Sequence, residues 1–309
     1  MENNEAMDKP IIPDTELFDK FLVNDPPSPD QPKARYQLLT AANFFEPQEP
    51  IAWTIDGLIS AGSVNVFFGE AKCGKTWALL DLAVCMATGV PWLGMATQQG
   101  PVLIIDEESG RRRLTRRMGE VMRGHDADAD TPIMAVSLAA LDMGKPNDIG
   151  ELSYLITNTG AKLVIIDALA DIMPGRDENS VKDTQPIFLS LRRIAEETQA
   201  AIIVIHHSNK TGGYRGSSAI AGAIDLLLSV EKKNESNNMT FKTERARDTT
   251  AGAFAATMNF GGDRFYLSSA DFEKPKQSYS KGERYVIRYL LTNEVASVKD
   301  ISEAADTCA

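Results

Sequence analysis

Cysteine is scarce: the chain of 309 residues has three. Cys73, Cys85 and Cys308 show no metal-ligand spacing among themselves, and such sparse use points to reduced thiols in a cytoplasm rather than to a disulfide framework. Long hydrophobic runs are missing too. No uninterrupted apolar stretch approaches the ~18 residues of a membrane span, so no membrane role is expected. The first residues, Met-Glu-Asn-Asn-Glu-Ala-Met-Asp, lack the positive charge and apolar core of a secretory signal, and are too acidic for a transit peptide. Net positive charge is absent as well: the balance is −11. That argues against a protein that coats nucleic acid with its whole surface. It leaves room for a local basic channel inside a ring, because the field that matters there is local.

What is present is ordinary for a globular protein with a real core: 43% hydrophobic and 24% charged residues. Residues 1–40, with a proline cluster at 25–32, read as a flexible or extended leader. Residues 41–272 read as one α/β domain. Trp53 to Ser60 looks like the approach to the first core strand. Short apolar strands are expected at 63–68, 101–105, 133–138, 163–166 and 200–205, with helices between them at 77–87, 111–123, 148–158 and 181–198. In the second of these helices Leu114, Met118, Val121 and Met122 recur on one face. Continuous apolar strands alternating with helices predict a mostly parallel twisted sheet covered on both faces. After Ala219 the pattern changes to successive strands with polar turns, which predicts an antiparallel C-terminal edge. Residues 280–309 read as a partial winged-helix-like segment.

One string carries chemistry by itself. Residues 69–76 read Gly-Glu-Ala-Lys-Cys-Gly-Lys-Thr, a complete phosphate-binding loop of the form G-x-x-x-x-G-K-[ST]. It follows an apolar strand and opens an apolar helix, the context its physics requires. Backbone N–H groups of Gly69, Glu70, Ala71, Lys72, Cys73, Gly74, Lys75, Thr76 and Trp77, with the positive end of the helix, can cradle phosphates. Lys75 can reach the β/γ-phosphates, and the Thr76 hydroxyl can hold Mg²⁺. By chance such a string arises in a chain of this length only about once in a hundred. Cys73 occupies a free position of the loop and is assigned no chemistry.

Hydrolysis also needs a carboxylate for Mg²⁺, a group that orients water, and positive charge near the γ-phosphate. Asp167 ends a strand, at the rim where ligands bind in open α/β folds. Asp106, Glu107 and Glu108 follow another strand, and three carboxylates at one strand end are costly unless solvated or near a cation. One of them can orient water; at least one of Asp106 and Glu107 can instead cap the following helix. His206 and His207 end a further strand, where a histidine can sense the γ-phosphate. Arg111, Arg112, Arg113, Arg116 and Arg117 form a basic helix face, read first as solvated and paired with acidic neighbours.

With both halves of the site placed, residues 45–268 resemble the RecA-like ATPases, and within them the RepA/DnaB-like hexameric helicases. Beyond the phosphate loop, the resemblance rests on Val-Leu-Ile-Ile-Asp-Glu-Glu-Ser-Gly-Arg-Arg-Arg-Leu at 102–114, Leu-Val-Ile-Ile-Asp at 163–167, His-His-Ser-Asn-Lys at 206–210 and Arg-Gly-Ser-Ser at 215–218. It implies ATP and Mg²⁺ as cofactors, with Thr76 and Asp167 at the metal. It implies a water-activating Glu, matched to Glu108 with Glu107 as the alternative. It also implies a basic pair on a late strand that reaches a neighbouring subunit's ATP. Here Arg245 and Arg247 with Gly252 fit that pattern, with Arg in place of Lys, a planar fork in place of a point charge. Lys210, Tyr214 and Arg215 fall in the family's DNA-facing loop and suit phosphate contacts and base stacking; a Gly-rich loop ordered only by nucleotide is the plainer reading.

The expectation is therefore an ATP-hydrolysing motor, a homo-oligomeric hexameric ring on single-stranded DNA in plasmid, phage or mobile-element replication. A primase or initiator partner is implied by the same resemblance. The competing expectations are a regulatory ATPase that switches partner binding without unwinding, and a small-molecule kinase.

Overall fold

The computed structural model describes residues 39–47, 49–207, 218–232, 236–249 and 252–271. The leader to residue 38, the segment 280–309, and Lys210, Tyr214 and Arg215 lie outside the described residues. The chain divides into two units, Met1–Pro50 and Ile51–Ala309. The described part of the first holds one short helix, α1 (Ala41–Phe45), where the Asn43 side chain accepts the Thr40 N–H at 2.9 Å.

The second unit is built on a nine-stranded sheet. Its strands are β3 (Val64–Gly69), β4 (Val102–Asp106), β5 (Ile133–Ser137), β6 (Leu163–Asp167), β7 (Ala201–His207), β8 (Leu226–Lys232), β9 (Asn238–Ala246), β10 (Ala253–Gly261) and β11 (Arg264–Ala270). Their spatial order is β11-β10-β9-β8-β3-β7-β6-β4-β5. From β5 to β8 every pairing is parallel, and from β8 to β11 every pairing is antiparallel. The helices are α2 (Lys75–Thr88), α3 (Arg111–Gly124), α4 (Pro146–Thr159), α5 (Val181–Thr198) and α6 (Ser218–Ala223), with a 3₁₀ turn at Leu169–Ile172.

The period of two along each buried strand divides the core between the faces. Leu163 and Ile165 of β6, and Ala201, Ile203 and Ile205 of β7, pack with α2 and α3. Val164 and Ile166, and Ile202 and Val204, pack with α4 and α5 on the other side. Strands wet on neither face have no need of polar alternation, which is why they read as unbroken apolar runs. Each fully buried Val, Leu or Ile contributes roughly 1.5–3 kcal/mol, so the two layers supply the main stabilisation. On the first face Trp92 meets Phe241 edge-on at 5.5 Å, and Phe241 stacks on Phe254 at 4.9 Å, which fastens the antiparallel edge to the parallel core.

The stretch around Trp53 leads directly into β3. It forms a separate two-stranded ribbon, β1 (Trp53–Ile55) with β2 (Ile59–Ser60), and Ile55 bridges to Thr97. Gly57 takes φ 66° in the tight reversal between β1 and β2. Among the described residues no helix is long and apolar enough to cross a membrane.

Candidate functional site

The phosphate loop leaves the C-terminal end of β3, at the centre of the sheet. Gly69 has no room for a side chain: a Cβ there would lie 2.1 Å from the carbonyl oxygen of Val230 on β8. Gly74 caps α2 at φ 97°, a left-handed conformation open to glycine. The loop thus delivers Lys75 and Thr76 to the first turn of an apolar helix. Lys75 is buried, and its Nζ donates to the carbonyls of Gly69 and Glu70, at 2.8 Å each. Two carbonyl dipoles hold the ammonium where phosphate oxygens would otherwise take its protons. Cys73 lies beside it, its Sγ 3.8 Å from Lys75 Nζ; burial pushes its thiol up, so it stays protonated.

Two strand ends face this loop. Asp106 and Asp167 are partners in the register of β4 and β6, and both are buried. Thr76 Oγ1 donates to Asp167 Oδ2 at 2.8 Å, and the Ser109 N–H donates to Asp106 Oδ1 at 2.8 Å. The second oxygens, Asp167 Oδ1 and Asp106 Oδ2, are buried without a hydrogen-bond partner among the described residues. Burial raises Asp167 to about 7; the Thr76 hydroxyl opposes the shift, while the charges of Glu108 and Asp106 add to it. Orphaned hard oxygens beside a threonine hydroxyl are the donor set a Mg²⁺ ion uses. The residues therefore fit the ion, with Thr76 and Asp167 as its holders.

Glu107 and Glu108 part company. The Glu107 carboxylate accepts the backbone N–H groups of Ala139, Ala140 and Leu141 at 3.2, 3.0 and 3.3 Å. Its own N–H donates to the Asp167 carbonyl at 2.8 Å. Glu108 instead lines a cleft of about 250 Å³ with Lys75, Thr76, Asp167 and His207, and its Oε2 lies 3.7 Å from His207 Nε2. The capping expectation fails for Asp106 and Glu107. Gly110 stands at the cap position of α3 with no side-chain bond, and both carboxylates are engaged elsewhere. The histidines divide in the same way: His206 is buried beside Glu178 at 3.7 Å, and His207 faces the cleft.

The arginine-rich helix is not uniformly solvated. Arg116 is, and it pairs with Glu120 at 3.0 Å. Arg113 and Arg117 line the nucleotide cleft. The Arg117 guanidinium sits 5.7 Å from the ring centroid of Trp77 and donates to Ser109 Oγ at 3.3 Å. Two arginines of this chain therefore border its own phosphate site, beside Lys72 and Lys75. Their spacing to Trp77 across α2 and α3 is a tertiary fact that a single helix pattern does not contain.

Arg245 and Arg247 lie elsewhere. Arg245 is on β9, a strand of the same sheet as the phosphate loop, and Arg247 follows its last residue. Because β9 runs antiparallel to β8, its last residues lie beside Leu226, at the end of the strands opposite the loop. Arg247 contacts Asp225 Oδ1 at 3.4 Å and donates to the Gly222 carbonyl at 2.7 Å. Asp225 Oδ2 in turn accepts the Val64 N–H at the foot of β3. Arg245 is exposed. Neither arginine can reach the phosphate loop of its own chain.

A central phosphate loop, a mostly parallel sheet and carboxylates at adjacent strand ends define a P-loop ATPase of RecA-like fold. The chain belongs to the AAA domain family, whose family model matches residues 29–213, more than half of its length. Among solved structures it is similar to the crystal structure of the RadB recombinase, with a TM-score of 0.52 at 14% identity, covering 69% of this chain and 93% of that one. That likeness concerns the fold. None of the curated proteins compared with the chain matches it.

Proposed function

We propose that the chain is an ATP-hydrolysing motor of the RepA/DnaB-like type, working as a ring on single-stranded DNA during plasmid, phage or mobile-element replication. One observation carries the reading. His207 faces Glu108 across the nucleotide cleft, and the chain runs directly from it into residues 208–217, which contain Lys210, Tyr214 and Arg215. A change at the γ-phosphate is thereby passed along one short stretch of backbone to groups suited to phosphate and base contacts.

In this mechanism the loop amides and Lys75 hold the β/γ-phosphates, and Thr76 with Asp167 would hold Mg²⁺, which when bound would supply positive charge to the phosphates. Glu108 Oε2 accepts the proton of the attacking water, and His207 orients Glu108 and reports whether the γ-phosphate is present. Arg245 and Arg247 complete a neighbouring subunit's site, since their own chain's loop lies at the opposite end of the strands.

The test is ATP turnover with and without single-stranded DNA, in the wild type and in His207→Ala. Stimulation in the wild type, lost in a variant that still binds ATP, supports the coupling. Turnover indifferent to DNA in the wild type contradicts it. A second reading, a regulatory ATPase that switches partner binding without moving on DNA, is favoured by the −11 charge; it predicts that indifference.

A further inference from the structure

Behind the phosphate loop, on the face of α2 turned toward α3, three side chains of metal-ligating type converge. Asp81 and Cys85 stand one helical turn apart on α2, so both project from the same face. His125 caps the C-terminus of α3 and reaches the same point. One donor atom from each lies within 4.8 Å of the other two. His125 Nε2 is 2.7 Å from Asp81 Oδ1, and His125 Nδ1 is 4.0 Å from Cys85 Sγ. Asp81 also accepts the Leu267 N–H of β11 at 2.9 Å. Asp81 and Cys85 are buried, and the His125 side chain keeps 16% exposure, which leaves a route to solvent.

We propose that Asp81, Cys85 and His125 form a binding site for a zinc-like divalent ion, separate from the nucleotide site. A thiolate, an imidazole and a carboxylate are the donor set of a borderline-soft ion and not of Mg²⁺ or Ca²⁺. Metal–donor bonds of about 2.0–2.3 Å in a tetrahedron place donors roughly 3.3–3.8 Å apart. The two short contacts use different nitrogens of His125, so its ring must turn to give one nitrogen to an ion shared with Asp81 and Cys85, whose donor atoms already lie within 4.8 Å of one another. On binding, the Cys85 thiol loses its proton to solvent and the imidazole nitrogen facing the ion is unprotonated; a solvent molecule takes the fourth position. The bound ion ties together the helix that begins at the phosphate loop and the helix that follows Glu108, and Asp81 carries the tie on to β11. The sparse cysteines hid this site, because it uses one cysteine and not a pair.

The experiment uses the full chain, stripped with a chelator under reducing conditions and titrated with Co²⁺ as the spectroscopic probe. The expected result is one Co²⁺ per chain, with a thiolate-to-cobalt charge-transfer band that Zn²⁺ abolishes by displacement. The band persists when Cys73 and Cys308 are both replaced by serine, and disappears in Cys85→Ser. Should Cys85→Ser fail to fold, His125→Gln at the partly exposed position gives the same reading, with affinity lowered at least about tenfold. No charge-transfer band in the wild type, a band that survives Cys85→Ser, or unchanged affinity in His125→Gln overturns the proposal. The cluster is then a hydrogen-bonded Asp81–His125 pair and nothing more.

Discussion

Glu107 and Glu108 are neighbours in the chain and opposites in environment. Three amide donors consume the charge of Glu107, while Glu108 keeps its carboxylate in the cleft with His207. Glu108→Gln should therefore bind ATP yet hydrolyse it roughly 10²-fold more slowly, the usual worth of a general base. Glu107→Gln should act mainly on stability, because its amide can accept fewer of the three bonds. Single-turnover rates beside denaturant midpoints separate the two; a dead Glu107→Gln with a near-normal Glu108→Gln would reverse the assignment. Asp167 gives a second residue-scale expectation. Its folded pKa, about 7, lies above the ordinary value of 3.8, so above pH 7 the nucleotide-free fold carries the full cost of a buried charge. As pH falls from about 7 to about 4 the folded chain holds a proton that the unfolded chain lacks, and that cost is progressively relieved. Asp167→Asn should thus melt higher than the wild type at pH 8 without nucleotide, with the difference shrinking toward pH 4. A variant that melts lower at pH 8 would count against the assigned burial cost. Sequence left Glu107 and Glu108 open for a physical reason: adjacent residues leaving a strand differ in direction, and the amides that claim Glu107 lie more than thirty residues away.

At the scale of elements, most of the sheet was legible. Leu-Val-Ile-Ile-Asp and its counterparts are apolar on both faces because helices cover both, and the glycines, prolines and polar turns that interrupt them mark the ends. The helix expected at 181–198 is α5 (Val181–Thr198). What the pattern did not contain was contact between elements: the ribbon at Trp53, Arg117 on Trp77, and the convergence of Asp81, Cys85 and His125. Each depends on two segments meeting, which local periodicity does not encode. One such contact makes an element-scale prediction. A Cβ on Gly124, at the end of α3, would lie 1.8 Å from the Phe265 carbonyl oxygen of β11. Gly124→Ala must push α3 off the edge strand, and should cost about 1–3 kcal/mol in urea unfolding, as overpacking does. An unchanged midpoint would show that the helix end yields freely.

For the whole molecule, the polarity of the sheet is the decisive fact. The phosphate loop opens at one end of the strands, while Arg245 and Arg247 lie at the other end, where Arg247 is tied to Asp225. In the ring proposed above, a head-to-tail contact would set the arginine end of one chain against the phosphate end of the next, a heterologous contact. Turnover per chain should then rise with protein concentration, because a lone subunit lacks its neighbour's arginines. The most direct measurement mixes two inactive proteins: Lys75→Ala, which lacks the phosphate-binding ammonium, and the double variant Arg245→Ala/Arg247→Ala. At mixing ratios near one to one, under conditions where subunits exchange, interfaces that pair an intact loop with intact arginines should restore part of the ATP turnover. No recovery in mixed oligomers, or full activity of the arginine variant by itself, would contradict the shared site.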